Sequence, residues 1–342
     1  MNNPPITSRV RARSWKTALA AGGLPLMITL LVLFARTSPG QAPPEFLSIQ
    51  RLANREVLLS LEAPAGLTYR LDAATSLPDW QPLLTLQSTG VNVHADTAAA
   101  YLSQRFYRAQ QVTDNTVLTG DHLATAQGDV VFHPINHASL VMTWNGKTIY
   151  NDPVGGPAPY AGLPRADLIL VSHIHSDHFH SGTLDAVRGS NCVLLAPQAV
   201  YSSLPMTPTN LRAMTIVMTN GASAQVAGIT VDAIPAYNSN HPLGTGNGYI
   251  LNLGGKRIYF TGDTGNIPEM RALRDIDVAF VCINVPYTMT VTEATNAVRN
   301  FRPKVVYPYH YRDQSGATTN AAAFKQWLGS DLGIEVRLRK WY

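Results

Sequence analysis

Cysteine is scarce in this sequence. Cys192 (NCVLLAP) and Cys282 (VAFVCINV) are the only two in 342 residues. Each sits in an apolar, strand-like run, so buried thiols are expected rather than a bridge. Neither has the C-x-x-C spacing of a metal or redox site. Charge is sparse too, at 14%, and acid is absent from residues 1–36, which hold Arg9, Arg11, Arg13, Lys16 and Arg36. The formal charge of +4 therefore becomes −1 once that segment is set aside. The body has no basic excess of the kind that nucleic-acid binding needs. Nucleotide-binding glycine motifs are also missing. GTGNGY (Gly244, Gly246, Gly248) lacks the G-x-G-x-x-G spacing and opens no helix, and GGKR has no upstream P-loop glycine at the right distance. No Ser, Cys or Lys lies in a nucleophile motif, and no short repeat recurs.

A long apolar run occurs in one place. Residues 17–35, TALAAGGLPLMITLLVLFA, are uncharged and follow the basic RVRARSWK. Despite Gly22, Gly23 and Pro25, this reads as a signal peptide or an N-terminal membrane anchor over residues 1–36. Either way the rest of the chain is expected outside the cytoplasm, periplasmic or extracytoplasmic, touching the inner membrane only through this segment. Residues 37–45 form a Pro/Gly linker.

Past the linker, the runs REVLLSLEA, LTYRLDAA, WQPLLTL and RFYRAQQV are separated by turn residues. Such spacing predicts a small all-β sandwich over residues 46–112. With Trp80 and FYR as its signature, it resembles fibronectin-type-III-like modules. A spacer or packing role is expected for it. From residue 116 to 342 the pattern changes to apolar strands alternating with helical segments. Hairpins come early in each half, at Asn145-Gly146 and Gly254-Gly255, and helices come later. This predicts an α/β body with mixed sheets.

That body holds SHIHSDHFH at residues 172–180, directly after ADLILV. His173 and His175 can point the same way, while Asp177 and His178 face a second point at the helix entrance. One pair for each of two cations is the natural reading. His180 is expected on the solvent side of the helix. Completing both shells requires donors from downstream strand ends: His241 in NSNHP, Asp263 in TGDTG and His310 in VVYPYHYR. Because the set is His and Asp without Cys, it implies open coordination positions rather than a closed structural zinc site.

HxHxDH followed by these three residues resembles the metallo-β-lactamase superfamily. HAS (His137 to Ser139), DP (Asp152-Pro153), PAYN, TGDT and PYTM resemble its ascorbate-6-phosphate-lactonase-like branch. The phospholipase D acting on N-acyl-phosphatidylethanolamine is similar in outline. The resemblance implies an αββα sandwich, two mixed sheets flanked by helices. It also implies that His173, His175 and His241 bind one metal, that Asp177, His178 and His310 bind the second, and that Asp263 bridges. His137 is expected to look into the site, and Asp152 to support it from behind.

The expected chemistry is metal-assisted hydrolysis of a small molecule. Two divalent cations, by default Zn2+ with Mn2+ or Fe2+ as alternatives, would share a water whose pKa falls from about 16 to near 7. The resulting bridging hydroxide would attack a lactone, amide or phosphodiester, with Asp177 orienting it. Two other readings stay open: a same-fold iron dioxygenase or redox enzyme, and a non-catalytic exported binding protein with a degenerate metal site. Pocket walls are expected from residues 154–162 and 207–211, with Tyr160, Tyr237 and Tyr287 as wall or packing residues.

Overall fold

The computed structural model describes residues 42–114, 117–206, 210–313 and 315–342. The apolar segment at 17–35, and with it the signal or anchor expectation, lies outside the described residues. Among the described residues no helix is long and apolar enough to cross a membrane. The chain divides into two compact units, one ending at His122 and the other running from Leu123 to Tyr342.

In the first unit, Glu45–Arg51, Val57–Glu62 and Val91–Asp96 form one antiparallel sheet. Gln81–Gln87, Thr68–Ala74 and Phe106–Val112 pair antiparallel beside each other. Strand alternation selects the buried face, so Val57, Leu59 and Leu61 share a core with Tyr69, Leu71, Ala73 and Tyr107. The Arg108 guanidinium lies 4.6 Å over the Trp80 ring and also binds the buried Asp72 at 2.7 Å. Glu45–Arg51 and Val91–Asp96 are strands that the sequence pattern does not single out, because valine and leucine face solvent there: Leu47, Val91 and Val93 are exposed. Gly120 and Asp121 pair with Thr85 and Leu84, so the first unit extends past residue 116.

The second unit has two mixed sheets. One runs in spatial order Thr215–Val217, Arg188–Ala196, Ala166–Leu170, Lys147–Asn151, Ser139–Trp144 and Gly128–Asn136. The other runs Ser223–Val226, Ile229–Ala236, Gly246–Leu253, Lys256–Phe260, Val278–Cys282, Val305–Tyr309 and Glu335–Val336. Each begins with antiparallel hairpins and ends in parallel strands, as the early hairpins and later helices anticipate. Val278–Cys282 and Val305–Tyr309 are buried at every position, the mark of a parallel strand covered on both faces. The core that both sheets share includes a stack of Phe260, Phe280 and Tyr307, with ring centroids 4.7 and 4.8 Å apart. Helix Val291–Phe301 starts with a reciprocal capping box, in which Thr290 accepts from the Glu293 N–H and Glu293 accepts from the Thr290 N–H. The layering is the αββα arrangement expected, and both cysteines are free and buried.

Candidate metal centre

Loops leaving the strand ends of the second unit meet at one point. His173, His175, Asp177 and His178 follow Ala166–Leu170, and Asp263 follows Lys256–Phe260. His310 follows Val305–Tyr309, and His241 follows Ile229–Ala236. Catalytic loops on parallel sheets characteristically sit at these ends. The residues 173–178 curl back because the amides of His178 and Phe179 both donate to the His175 carbonyl. Gly262 is required where Asp263 is delivered. Its φ is +60°, and a Cβ there would stand 2.8 Å from the Asn247 carbonyl oxygen.

Three donor groups assemble, each with atoms within 4.8 Å of one another: His173, His175 and His241; His137, Asp177, His178 and His310; and His173, His178 and Asp263. Asp263 lies among the others. Its Oδ1 is 3.3 Å from both His178 Nε2 and His310 Nε2, and its Oδ2 is 3.6 Å from His241 Nε2 and 4.0 Å from His173 Nε2. The seven residues singled out as ligands are therefore brought together from widely separated parts of the chain.

Supporting partners turn the rings. Asp152 accepts from His178 Nδ1 at 2.8 Å, from the Ser172 amide at 2.7 Å and from the Ser172 hydroxyl at 2.8 Å. A carboxylate can only accept, so a hydrogen sits on His178 Nδ1 and Nε2 is the ring atom turned inward. Asn238 does the same for His241, with its Oδ1 2.9 Å from Nδ1 and 3.0 Å from the His241 amide. Asn238 thus supports His241, while Asn240 lines the cavity. His137 touches Asp177 through Nε2 at 3.1 Å and Tyr342 through Nδ1 at 2.9 Å. With both ring nitrogens taken, His137 lines the cavity but is tied to Asp177. His180 is exposed, as expected, and its Nδ1 caps helix Ser181–Val187 by accepting from the Thr183 amide at 3.1 Å.

Protonation follows from this packing. Burial, aided by the neighbouring His178 charge, holds His173 well below the ordinary histidine value. Burial also lowers His137 and His241. In His178 burial acts downward but is outweighed by the carboxylates of Asp263, Asp152 and Asp177, which lift it to about 10. Asp263 and Asp177 are pushed up by burial, yet the surrounding imidazoles hold both below the usual carboxylate range. Ionised Asp263 and Asp177 beside His137, His173 and His241, which burial keeps unprotonated, form a set that attracts positive charge. Two of its buried atoms, His173 Nε2 and Asp263 Oδ1, have no hydrogen-bond partner. Orphaned acceptors of that kind are costly unless something positive meets them, so the donor set fits divalent cations.

Over the donors opens a cavity of about 420 Å³ whose walls include Asn136, Asn240, Asn284, Tyr287 and Arg312. Of the wall loops anticipated, 154–162 contributes Val154 alone, and 207–209 lie outside the described residues. Tyr160 and Tyr237 do not line it. The Tyr160 hydroxyl is bonded to Val154 and that of Tyr237 to Glu269. Ser172, Arg312 and Tyr342 are the residues that sequence reasoning missed. Ser172 could have been flagged by its place at the head of the histidine motif. Tyr342 could not, since 205 positions separate it from His137.

Residues 132–310 match the family model described as beta-lactamase superfamily domain. A metal-dependent hydrolase of Thermus thermophilus is 32% identical over 213 residues, covering 59% of this chain and 92% of its own. A solved structure described as a metal-dependent hydrolase from Parabacteroides distasonis is 37% identical, with a TM-score of 0.58, over 65% of this chain and 99% of that one. Igni18, a metallo hydrolase from Ignicoccus hospitalis, is 25% identical with a TM-score of 0.54, over 62% of this chain and 95% of its own.

Proposed function

This chain belongs to the β-lactamase superfamily and is a metal-dependent hydrolase; on that premise we propose that it works with two divalent cations. His173, His175 and His241 would hold one, Asp177, His178 and His310 the other, with Asp263 between them. The observation that carries this reading is the convergence of imidazole and carboxylate donors from separate loops around two buried atoms that make no hydrogen bond, His173 Nε2 and Asp263 Oδ1. A donor set rich in histidine favours zinc, and manganese or iron can occupy the same atoms.

Bound cations of this kind lower the pKa of a coordinated water from about 16 towards about 7 and polarise the oxygen of the bond to be cut. The protein's own contribution is aim. Asp177 faces the cavity and orients the attacking water, and the N–H of His137 keeps its carboxylate pointed there. Asp152 and Asn238 hold the inward lone pairs of His178 and His241 in place. The substrate is a small molecule carrying a lactone, amide or phosphodiester. The HAS, DP, PAYN and PYTM motifs favour the ascorbate-6-phosphate-lactonase-like branch. The basic, then apolar, start of the sequence favours an exported enzyme, and either a signal peptide or an anchor accounts for it.

Metal content is the first test. The purified chain should carry about two equivalents of metal after expression in supplemented medium, and the same preparation should be screened against lactones, phosphodiesters and β-lactams. Less than one equivalent would favour the non-catalytic binding protein, and a single iron the dioxygenase reading. Asp263→Ala should lose one or both metals and all turnover while the first unit stays folded. An Asp263→Ala enzyme retaining two metals and full rate would show that Asp263 is misassigned.

A further inference from the structure

One cation lines the cavity without an acid to neutralise it. Among the described lining residues Arg312 is the single lysine or arginine, and no described carboxylate pairs with its guanidinium. The residue is half-buried, and its guanidinium carbon lies 3.9 Å over the ring of Tyr342. Tyr342 is itself fixed. Its hydroxyl accepts from the amides of Tyr311 and Arg312 at 3.2 Å each and lies 2.9 Å from His137 Nδ1. Of the five N–H donors on the guanidinium, one reaches a side-chain acceptor, Asn136 Oδ1, at a long 3.5 Å.

Asp313, the neighbouring acid on the cavity wall, is occupied elsewhere. Its Oδ1 accepts from the Ser315 amide at 2.9 Å, the Ser315 hydroxyl at 2.6 Å and the Ala317 amide at 2.9 Å, closing its own turn. A planar fork with unspent donors, stacked on an aromatic ring and open to the cavity, is suited to a two-oxygen anion. The chain of contacts from Arg312 through Tyr342 and His137 to Asp177 puts this fork on the side of the second donor group.

We propose that Arg312, seated on Tyr342 beside Asn136, is an oxyanion-binding subsite, so that the substrate carries a carboxylate or phosphate besides the bond that is cut. The proposal rests on the hydrolase reading above and adds a substrate class and an orientation to it. The anionic end lies against Arg312 and Asn136, with the scissile group over the donors.

The test uses full-length, metal-loaded protein and its Arg312→Gln and Arg312→Lys variants. Glutarate and glycerol 3-phosphate are titrated by calorimetry, which needs no turnover and separates a carboxylate from a phosphate preference. Wild type should bind one of them on the order of 10- to 100-fold more tightly than Arg312→Gln, with metal content equal in both. Arg312→Lys should fall between, since it keeps charge but loses the fork. Equal affinity in wild type and Arg312→Gln, or no binding by wild type, would overturn the subsite. A second arm compares 4-nitrophenyl acetate with mono(4-nitrophenyl) glutarate, which share a leaving group and differ by a distal carboxylate. Absence of metal-dependent hydrolysis of both esters, alongside an intact calorimetric difference, would count against the hydrolase reading and leave the subsite standing.

Discussion

At the scale of single residues, the centre depends on side chains that touch no cation themselves. Asp152 holds the backbone at a φ of +42° and spends both carboxylate oxygens on Ser172 and His178. Substituting Asp152→Asn keeps the volume but offers an N–H where an acceptor is needed, so the His178 ring loses its fixed tautomer. Losing such a supporting contact typically weakens metal affinity 10- to 100-fold, and about that is expected here. A chelator competition on the refolded variant measures it, and unchanged affinity would mean that Ser172 alone orients the ring. At this scale the sequence was legible where donors cluster and opaque where they are supported. HxHxDH announces itself within six positions, whereas Arg312 and Tyr342 carry no local pattern, because strand packing brings them to the site.

At the scale of elements, the parallel strands behind the site are pinned at their far ends by Asp277. Its amide donates to the Arg257 carbonyl at 2.9 Å, and its Oδ2 accepts from the Arg257 amide at 2.9 Å. Lys304, at the entrance to Val305–Tyr309, reaches Oδ1 at 2.8 Å. Burial raises the carboxyl pKa, but the Lys304 hydrogen bond, the Arg257 amide and the charge of Lys256 outweigh it, so the folded value is depressed. A depressed carboxylate adds stability above its unfolded pKa of about 3.9 and loses it as pH falls through the folded one. Asp277→Asn should therefore be less stable than wild type by about 1 kcal/mol at pH 7, and the gap should close towards pH 3. Urea midpoints at several pH values check this, and a gap that is independent of pH would remove the ionic contribution. Most elements of the second unit were legible as apolar runs and helical segments. Gly128–Asn136 was not, because Pro134 and the polar residues around it hide a strand whose face is decided by pairing with Ser139–Trp144.

At the scale of the whole molecule, two units with separate cores imply separate responses to metal. The donors all lie in Leu123–Tyr342, and the first unit has its own core around Leu59, Leu71 and Tyr107. A cation bound to the native state alone stabilises in proportion to the logarithm of its free concentration over Kd. Chelation should therefore lower the melting temperature of the second unit and leave that of the first in place, as differential calorimetry with and without chelator would report. Movement of both transitions together would show that the two units melt cooperatively. The sequence by itself determined that donors exist, which residue types they are and that each stands at a strand end, since apolar runs and motif spacing are local properties. The tertiary structure alone decided which nitrogen faces inward, that Asp263 lies among the other donors, and that an unpaired Arg312 shares their cavity. Those are distances between residues far apart in the chain, and only the pairing of strands and the packing of two sheets sets such distances.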